Sequence, residues 1–407
     1  MKCGLLGRRL GHSYSPQIHS YLGDYPYALF EREPEDIGEF LQKGDFTAIN
    51  VTIPYKKDVI PYCAELTACA KKMGAVNTIV RRADGSLIGH NTDYFGLHYT
   101  FRRMGISLDS KKVLVLGSGG ASVTTVIVLK ELGANVVIIS RSGENNYSNL
   151  HLHRDAAMIV NTTPVGMYPN AGKSPIDLDI FPHLEGVLDI IYNPARTKLL
   201  LDAAERSIPS ENGLWMLVAQ AKEAAEWFMD TTINDDVIPE IYAKMCKLME
   251  NIVLIGMPGC GKSTVGQLLA QTLGREFVDA DTEIIRTAGM AIPEIFKKLG
   301  EDEFRKLETQ VLAELGQKSA LVSATGGGCV TKAENYPLLH QNGTIYWLQR
   351  DLASLPTDGR PLSQGGRLDE MYRIRKPLYE QFADQIVPNT GTVKETVEMI
   401  LKGRNSK

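Results

Sequence analysis

Asn251-Ile252-Val253-Leu254-Ile255-Gly256-Met257-Pro258-Gly259-Cys260-Gly261-Lys262-Ser263-Thr264-Val265 reads as an apolar strand over 252–255, a glycine-bearing loop, and the start of a helix. The loop satisfies G-x-x-x-x-G-K-[ST] in the context that gives this pattern meaning, with a strand before it and a helix after it. Glycines let the backbone turn with its N–H groups pointing inward, where they cradle phosphate oxygens. Lys262 then faces the β- and γ-phosphates of a nucleotide, and the Ser263 hydroxyl is placed to ligate Mg²⁺. A strand-to-helix turn with an incidental lysine is the plainer alternative. The loop lies deep in the chain, so a separate folding unit must precede it.

A chain of 407 residues is long enough for two or three domains, each with its own core. Its 43% hydrophobic and 23% charged content is ordinary for a globular protein. A net charge of −4 supplies no basic field for nucleic acid, although small anions need only local cations. The six cysteines form no C-x-x-C pair and suit free thiols in a reducing compartment. The N-terminus has no signal-like apolar core, and no apolar run approaches the ~18 residues of a membrane span. A cytoplasmic chain without nucleic-acid or membrane partners is expected, its oligomeric state left open.

Residues 1–105 alternate short strands, at 1–6 and 48–53, with helical segments. Between the first strand and a helix expected over 17–22 lies Gly11-His12-Ser13-Tyr14-Ser15-Pro16. Two hydroxyls at i, i+2 before a helix can face a carboxylate, or simply cap the helix. Asn50-Val51-Thr52-Ile53-Pro54-Tyr55-Lys56 ends a strand in a lysine, which in isolation is a surface charge. Gly74-Ala75-Val76-Asn77-Thr78 and Gly89-His90-Asn91-Thr92-Asp93 follow, and Asp93 alone could be a helix N-cap.

From 106 to about 225 the pattern is a parallel α/β sheet. The strand 112–116 leads into Gly117-Ser118-Gly119-Gly120-Ala121-Ser122, a helix over 123–132 and a strand at 135–139. That is the order of a dinucleotide fold, although Ser122 occupies the last glycine position of the G-x-G-x-x-G fingerprint. At the end of the second strand stands Ser140-Arg141-Ser142. NAD sites place a carboxylate there for the ribose hydroxyls, whereas an arginine with hydroxyls suits a 2′-phosphate, which favours NADP. A strand around 187–191, a helix from 213 to 228 and another over 237–250 lead up to the phosphate loop. No Gly/Ser- or Pro-rich tether intervenes, so closely joined domains are expected.

Beyond the loop, Asp279 and Asp281 follow a short strand at i, i+2, and strand periodicity would put them on one side. Arg305 lies in an amphipathic helix, where arginine is normally solvated. A strand at 321–324 ends in Thr325-Gly326-Gly327-Gly328, three glycines that imply close approach to backbone or ligand. A strand over 345–348, a polar segment at 354–367 with the look of a lid around Arg360, and a helix opened by Arg375 complete the chain.

Residues 1–249 resemble shikimate dehydrogenase through HSYSPQIH, NVTIPYK, GAVNT, GHNTDYFG, GSGGAS, NTTPVGM, DIIYNPARTKLL and GLWMLVAQA, in that family's order. Residues 250–407 resemble shikimate kinase through GMPGCGKST, FVDADTEI, EDEFRKLE, TGGG, DGRPL and RKPLYEQFAD. The implied architecture is α/β throughout: a substrate part (1–105 and 225–249), a Rossmann-like NADP part (106–224) and a P-loop kinase. The implied activities are consecutive, reduction of 3-dehydroshikimate by NADPH and phosphorylation of shikimate by ATP with Mg²⁺.

The resemblance also implies roles. In the first enzyme Lys56 and Asp93 form the catalytic pair. Ser13, Ser15 and Tyr192 hold the substrate carboxylate, while Thr52, Asn77 and Gln220 bind its hydroxyls. The cofactor lies on Gly117, Ser118, Gly119, Gly120, Ala121, Ser140 and Arg141, its nicotinamide near Ile190 and Gly213. In the second, Gly259, Cys260, Gly261, Lys262, Ser263, Thr264 and Arg360 meet ATP, with Lys262 and Asp281 catalytic. Asp281, Arg305, Gly327 and Arg375 bind shikimate, and Asp279 joins Ser263 at the metal. The loop after Arg141 lacks a second basic residue often present in the family, which leaves room for some use of NADH. Competing readings are a non-catalytic sensor built on the same domains, and quinate or another polyol as substrate.

Overall fold

The computed structural model describes residues 1–11, 13–355 and 367–405. Arg360 and most of the segment expected to form a lid lie outside the described residues. The chain divides into two compact units: 1–166, 173–192 and 202–245 form the first, and 167–172, 193–201 and 246–407 the second.

The first unit holds two sheets among the described residues. One is mixed, in the order Tyr27–Glu31, Cys3–Gly7, Ala48–Val51, Thr78–Arg81, Leu87–His90, Glu65–Leu66. Cys3–Gly7 and Ala48–Val51 are buried along their whole length and run parallel, and the chain then reverses into antiparallel Thr78–Arg81. Strands covered on both faces are apolar at nearly every position, which is why these runs do not alternate, the hydrogen-bonded Asn50 being the exception. The other sheet is all parallel, ordered Ser210–Asn212, Gly186–Asp189, Met158–Asn161, Lys112–Leu116, Asn135–Ile139. From Lys112–Leu116 the chain steps to Asn135–Ile139 on one side and later to Met158–Asn161 on the other. The crevice at such a reversal of strand order is where open parallel sheets bind ligands.

Two helices tie the sheets to the site. Asp93–Met104 stops at Gly105, whose left-handed φ of 66° closes the helix C-terminus. It packs against Leu214–Met229 through Gly96, where an added Cβ would sit 2.6 Å from the Met216 carbonyl oxygen. Glycine at that point lets the two backbones approach, and so sets the separation of Asp93 from Gln220.

The second unit is one parallel sheet, ordered Phe277–Asp279, Val322–Ala324, Asn251–Ile255, Gly343–Gln349, Gln385–Pro388. Its central strand Asn251–Ile255 is fully buried, and strand order reverses beside it. Short stretches of the N-terminal half are built into this unit. Tyr168 N donates to Asn193 O, Ala195 N donates to Asn342 Oδ1 at 2.7 Å, and the Arg196 guanidinium donates to the His340 and Gly343 carbonyls.

Most elements lie within two or three residues of their expected positions, but the helix expected to open at Arg375 begins at Arg367, so that Arg375 stands inside it. The helix expected over 17–22 is instead Ser15–His19, and the helix expected over 123–132 starts earlier, at Gly120. Pro16 accounts for the first shift, since a proline fits the opening turn of a helix and not its interior.

Candidate active sites

In the first unit the turn after Ala48–Val51 brings Lys56 against the first residue of the Asp93–Met104 helix. Lys56 Nζ lies 2.6 Å from Asp93 Oδ2, and the two side chains are 29% and 14% exposed. The pair is thus half-buried but open on one side, as a proton-transferring group must be. Asp93 is fixed from behind: its other oxygen accepts from Asn77 Nδ2 at 3.0 Å, and its backbone N–H donates to Asn91 Oδ1 at 3.0 Å. Asn77, almost wholly buried, also donates to Thr92 Oγ1 and accepts from Thr92 N. Its amide is therefore largely occupied in bracing Asp93.

Thr92 Oγ1 in turn donates to Gln220 Oε1 at 3.2 Å, and Gln220 Nε2 is held by the Leu217 carbonyl. Lys56 is positioned through its own carbonyl, which accepts from Val76 N at 2.8 Å. Thr52 N donates to the Leu6 carbonyl at the end of the neighbouring strand. Ser13 Oγ accepts from Ser15 N at 3.2 Å, and the Tyr14 and Tyr192 rings meet edge to face with centroids 6.4 Å apart. The structure therefore draws the Tyr192 segment towards the serine turn.

Asn50 was not singled out by sequence. Its Oδ1 accepts from Tyr27 Oη at 2.7 Å, and its Nδ2 donates to Thr78 Oγ1, which itself donates to Asn77 Oδ1. Its place one position before Val51 on an otherwise apolar strand was the available signal.

At the strand reversal of the parallel sheet, Gly117 follows Leu116 with φ 106°, and an added Cβ would press on Thr162 Oγ1 and Thr163 Cγ2 at 3.0 Å. Gly119 and Gly120, by contrast, face open space, and the Gly120–Glu131 helix begins there, its first-turn N–H groups having no partner within the helix. Ser118 is exposed, Ala121 half-buried, and Ser122 packs inward, so the missing third glycine does not obstruct the loop. Ser140 and Arg141 lie in the turn after Asn135–Ile139, the Arg141 side chain exposed. Gly213 sits directly against Ile190, and an added Cβ there would lie 1.9 Å from the Ile190 carbonyl oxygen.

In the second unit the phosphate loop holds Gly256, Gly259 and Gly261 at φ 142°, 82° and 97°. Lys262 opens the Lys262–Leu273 helix and curls back, its Nζ donating to the Gly256 and Met257 carbonyls at 2.9 and 3.1 Å. Cys260 is buried, its N–H already donates to Met257 O, and its carbonyl accepts from Asn389 Nδ2. Ser263 and Thr264 are exposed at the helix start. Ser263 Oγ donates to Asp279 Oδ2 at 2.5 Å.

The expectation that Asp279 and Asp281 share a strand face is corrected: the strand ends at Asp279 and a helix, Ala280–Ala288, takes over. Asp279 caps that helix, accepting from Asp281 N at 3.0 Å. Burial first, and the Asp279 charge second, push the Asp281 carboxyl above the ordinary aspartate range, against the pull of Lys262 and Arg305.

Arg305, on a helix whose composition would normally leave an arginine solvated, is 6% exposed. It is bridged to Glu308 at 2.8 Å and to Glu301 at 3.2 Å. Burial works against its charge, but the two carboxylates outweigh it and raise its pKa. The glycine run explains itself by contact. An added Cβ would lie 2.7 Å from Glu308 Oε1 and 2.9 Å from Asp281 Oδ1 at Gly326, 2.6 Å from Pro258 at Gly327, and 2.4 Å from the Arg305 guanidinium at Gly328. Arg375 Nη1 donates to the Gly327 carbonyl at 3.2 Å. Asp281, Arg305, Gly327 and Arg375 thus converge beside Pro258 of the phosphate loop.

Sequence reasoning missed Glu308. Its side chain is wholly inaccessible, one oxygen faces Gly326 without a hydrogen-bond partner, and burial raises its pKa more than Arg305 lowers it. The i, i+3 spacing to Arg305 was legible, but at a solvated arginine it would have meant a surface pair.

Comparison with known proteins finds two families along this chain. A family profile described as the shikimate dehydrogenase substrate binding domain matches residues 5–79, and one described as shikimate kinase matches 258–403. The shikimate dehydrogenase (NADP(+)) of Clostridium beijerinckii is 33% identical over 260 residues, covering 59% of this chain and 96% of that protein. The bifunctional 3-dehydroquinate dehydratase/shikimate dehydrogenase of Arabidopsis thaliana is 33% identical over 281 residues, covering 59% of this chain and 46% of the plant protein. Among solved structures, shikimate dehydrogenase 1 of Peptoclostridium difficile superposes with TM-score 0.56 at 35% identity, covering 60% of this chain and 98% of its own. The Thermus thermophilus shikimate 5-dehydrogenase in complex with NADP(H) and shikimate superposes with TM-score 0.55 at 26% identity, covering 60% and 99%. The chain belongs to the shikimate dehydrogenase family and carries a shikimate kinase domain behind it in the same polypeptide.

Proposed function

We propose that this chain performs two successive reactions on one ring acid: NADPH-dependent reduction of 3-dehydroshikimate to shikimate, and ATP-dependent phosphorylation of shikimate at its 3-hydroxyl. The observation that carries the proposal is the presence, in one chain, of a braced Lys56–Asp93 pair and a phosphate loop flanked by Asp281, Arg305 and Arg375.

In the reduction, NADPH supplies the hydride. As negative charge grows on the substrate carbonyl oxygen, Lys56 Nζ donates the proton. A positioned acid of this kind contributes typically 10²–10⁴-fold. Asp93 keeps Lys56 oriented and accepts from a ring hydroxyl with what hydrogen-bonding capacity Asn77 leaves free. Ser13, Ser15 and Tyr192 take the carboxylate, and Thr52 and Gln220 the hydroxyls. Gly119, Gly120 and the helix start beyond them offer N–H groups to the pyrophosphate. Arg141 meets the 2′-phosphate, which supports NADP over NAD.

In the phosphorylation, Arg305 and Arg375 hold the shikimate carboxylate and Gly327 offers its N–H. Asp281 orients the attacking hydroxyl and takes its proton, for which a carboxyl raised by burial is better suited than an ordinary one. Lys262 exchanges its loop carbonyls for the phosphates. The paired Ser263 hydroxyl and Asp279 carboxylate are hard oxygen donors of the kind Mg²⁺ takes alongside water and phosphate, so they would hold it. All six cysteines are free thiols, which fits the cytoplasm.

One assay tests the whole: 3-dehydroshikimate, NADPH and ATP with Mg²⁺ should give shikimate 3-phosphate with NADPH consumed. Protein that binds shikimate yet yields neither product would be a sensor instead.

A further inference from the structure

Gly327 offers its backbone N–H to the second substrate, yet an isolated glycine peptide is free to rotate that N–H out of aim. What fixes it is on its other side. Its carbonyl oxygen accepts two donors, Arg375 Nη1 at 3.2 Å and the Tyr379 hydroxyl. Both lone pairs of that oxygen are thereby used. Tyr379 is wholly buried, stacks on Trp347 with ring centroids 5.5 Å apart, and stands one helical turn after Arg375 on Arg367–Phe382. From the front, Pro258 closes against Gly327 at 2.6 Å from where a Cβ would be, so the peptide is gripped between the phosphate loop and the tyrosine.

We propose that Tyr379 is a positioning residue for the phosphorylation. By pinning the Gly327 carbonyl it keeps the Gly327 N–H aimed at the ring acid. It also relieves Arg375 of being that carbonyl's sole restraint, so that the guanidinium's remaining N–H groups stay directed at a carboxylate. A tyrosine merely satisfied in the core needs some acceptor, but not one on the peptide that faces substrate. The other partner within reach of the hydroxyl is the Met257 thioether at 3.9 Å, a weak acceptor that does not compete with the carbonyl.

The inference rests on the proposed shikimate site, and the test separates the two. In the full-length protein, Tyr379→Phe keeps the ring and removes only the hydroxyl. A hydrogen bond worth ~1 kcal/mol net predicts a rise in KM for shikimate of about three- to ten-fold. KM for ATP and the reduction of 3-dehydroshikimate should stay within two-fold of the parent. The same rise should appear in the Kd of shikimate measured by calorimetry without nucleotide. Arg375→Ala should raise KM further, and the double variant should fall short of the product of the two single effects, because both act through one carbonyl. If Arg375→Ala raises KM for shikimate and Tyr379→Phe does not, the positioning role is overturned. It is equally overturned if Tyr379→Phe raises KM for ATP and shikimate alike, which is what a loosened core would do. If neither variant moves KM for shikimate, the substrate site itself is wrongly placed and the inference falls with it.

Discussion

Replacing Gly213 by alanine adds one carbon at the point where the Ser210–Asn212 strand hands over to the long Leu214–Met229 helix, beside the end of the paired Gly186–Asp189 strand. That carbon would stand 1.9 Å from the Ile190 carbonyl oxygen, where ordinary contact is no closer than 3.4 Å, so something must retreat by about 1.5 Å. No flexible side chain can absorb the shift, since the obstruction is backbone: the Ile190 carbonyl carbon lies at 2.4 Å and its Cα at 3.0 Å. The φ of Gly213 is −72°, so alanine is not excluded on dihedral grounds, and the effect isolates the clash. Either the helix start moves, carrying Gln220 with it, or the Ile190 end moves, carrying the surface proposed to meet the nicotinamide. A displacement of about 1 Å in a reacting geometry costs about 10²-fold in rate. Overpacking of this kind also destabilises by about 1–3 kcal/mol. Steady-state reduction should therefore lose about two orders of magnitude in kcat, with a smaller change in KM for 3-dehydroshikimate. The kinase activity of the same preparation serves as an internal control and should hold. A Gly213→Ala protein that is folded, melts lower and still turns over at the parental kcat would refute the assignment of this contact to the cofactor end of the site.

Lys56→Ala should cut reduction by about 10²–10⁴-fold and leave phosphorylation intact, while Lys262→Ala should do the reverse; loss of both activities from either change would contradict two separate sites. Arg141→Ala should raise KM for NADPH by about 10- to 100-fold, the loss of a hydrogen bond to a charged group, and leave KM for NADH nearly unchanged. Because the Asp281 carboxyl titrates above the ordinary value of 3.8, its proton-accepting form is lost earlier as pH falls. The acid limb of kinase kcat/KM should accordingly lie above that value, and a limb at or below it would remove Asp281 from the role. Among the described residues, Glu308→Ala leaves the buried Arg305 charge with the exposed Glu301 as its remaining ion-pair partner, and breaking such a pair costs about 3–5 kcal/mol. Thermal loss of kinase activity should come at markedly lower temperature, with reduction unaffected in unheated protein.

Glycines and local charge made much of this molecule readable in advance. The phosphate loop, the Gly117 turn and the glycine run at 326–328 are legible because a missing Cβ states a close approach whatever the partner. The parallel strands Lys112–Leu116 and Asn135–Ile139 were legible to the residue because each is a short apolar run bounded by turn residues, although the second lies at the sheet edge and is only partly buried. What failed was burial of charge. Arg305 and Glu308 sit in a segment whose composition is that of a solvated helix, and the glycine run at 326–328 packed against them makes the pair internal. Strand periodicity did not apply to Asp281 at all, since the strand ends at Asp279, two residues before it, and a helix has already begun at Ala280. Asn77 shows a third limit: a motif marks the residue, but only coordinates show that its amide is committed to Thr92 and Asp93.

The two sites solve one problem in different ways. Each must hold a cation ready for an anionic ring acid without letting that cation relax onto water. In the first unit Lys56 is partly solvated, and a single carboxylate at 2.6 Å restrains it. Precision therefore depends on the amide and hydroxyl brace from Asn77 through Thr92 to Gln220 that keeps the carboxylate still. In the second unit Arg305 is buried and its charge is compensated chiefly by the buried Glu308, so the desolvation is met at folding, not at binding. The brace is then the ion pair itself, and glycines alone can line the space in front of it because any Cβ at 326 or 328 would strike one of its partners. It follows that the first site should tolerate conservative change at its cation better than at its brace. The second should tolerate neither, since Arg305 and Glu308 are each the other's condition for being buried.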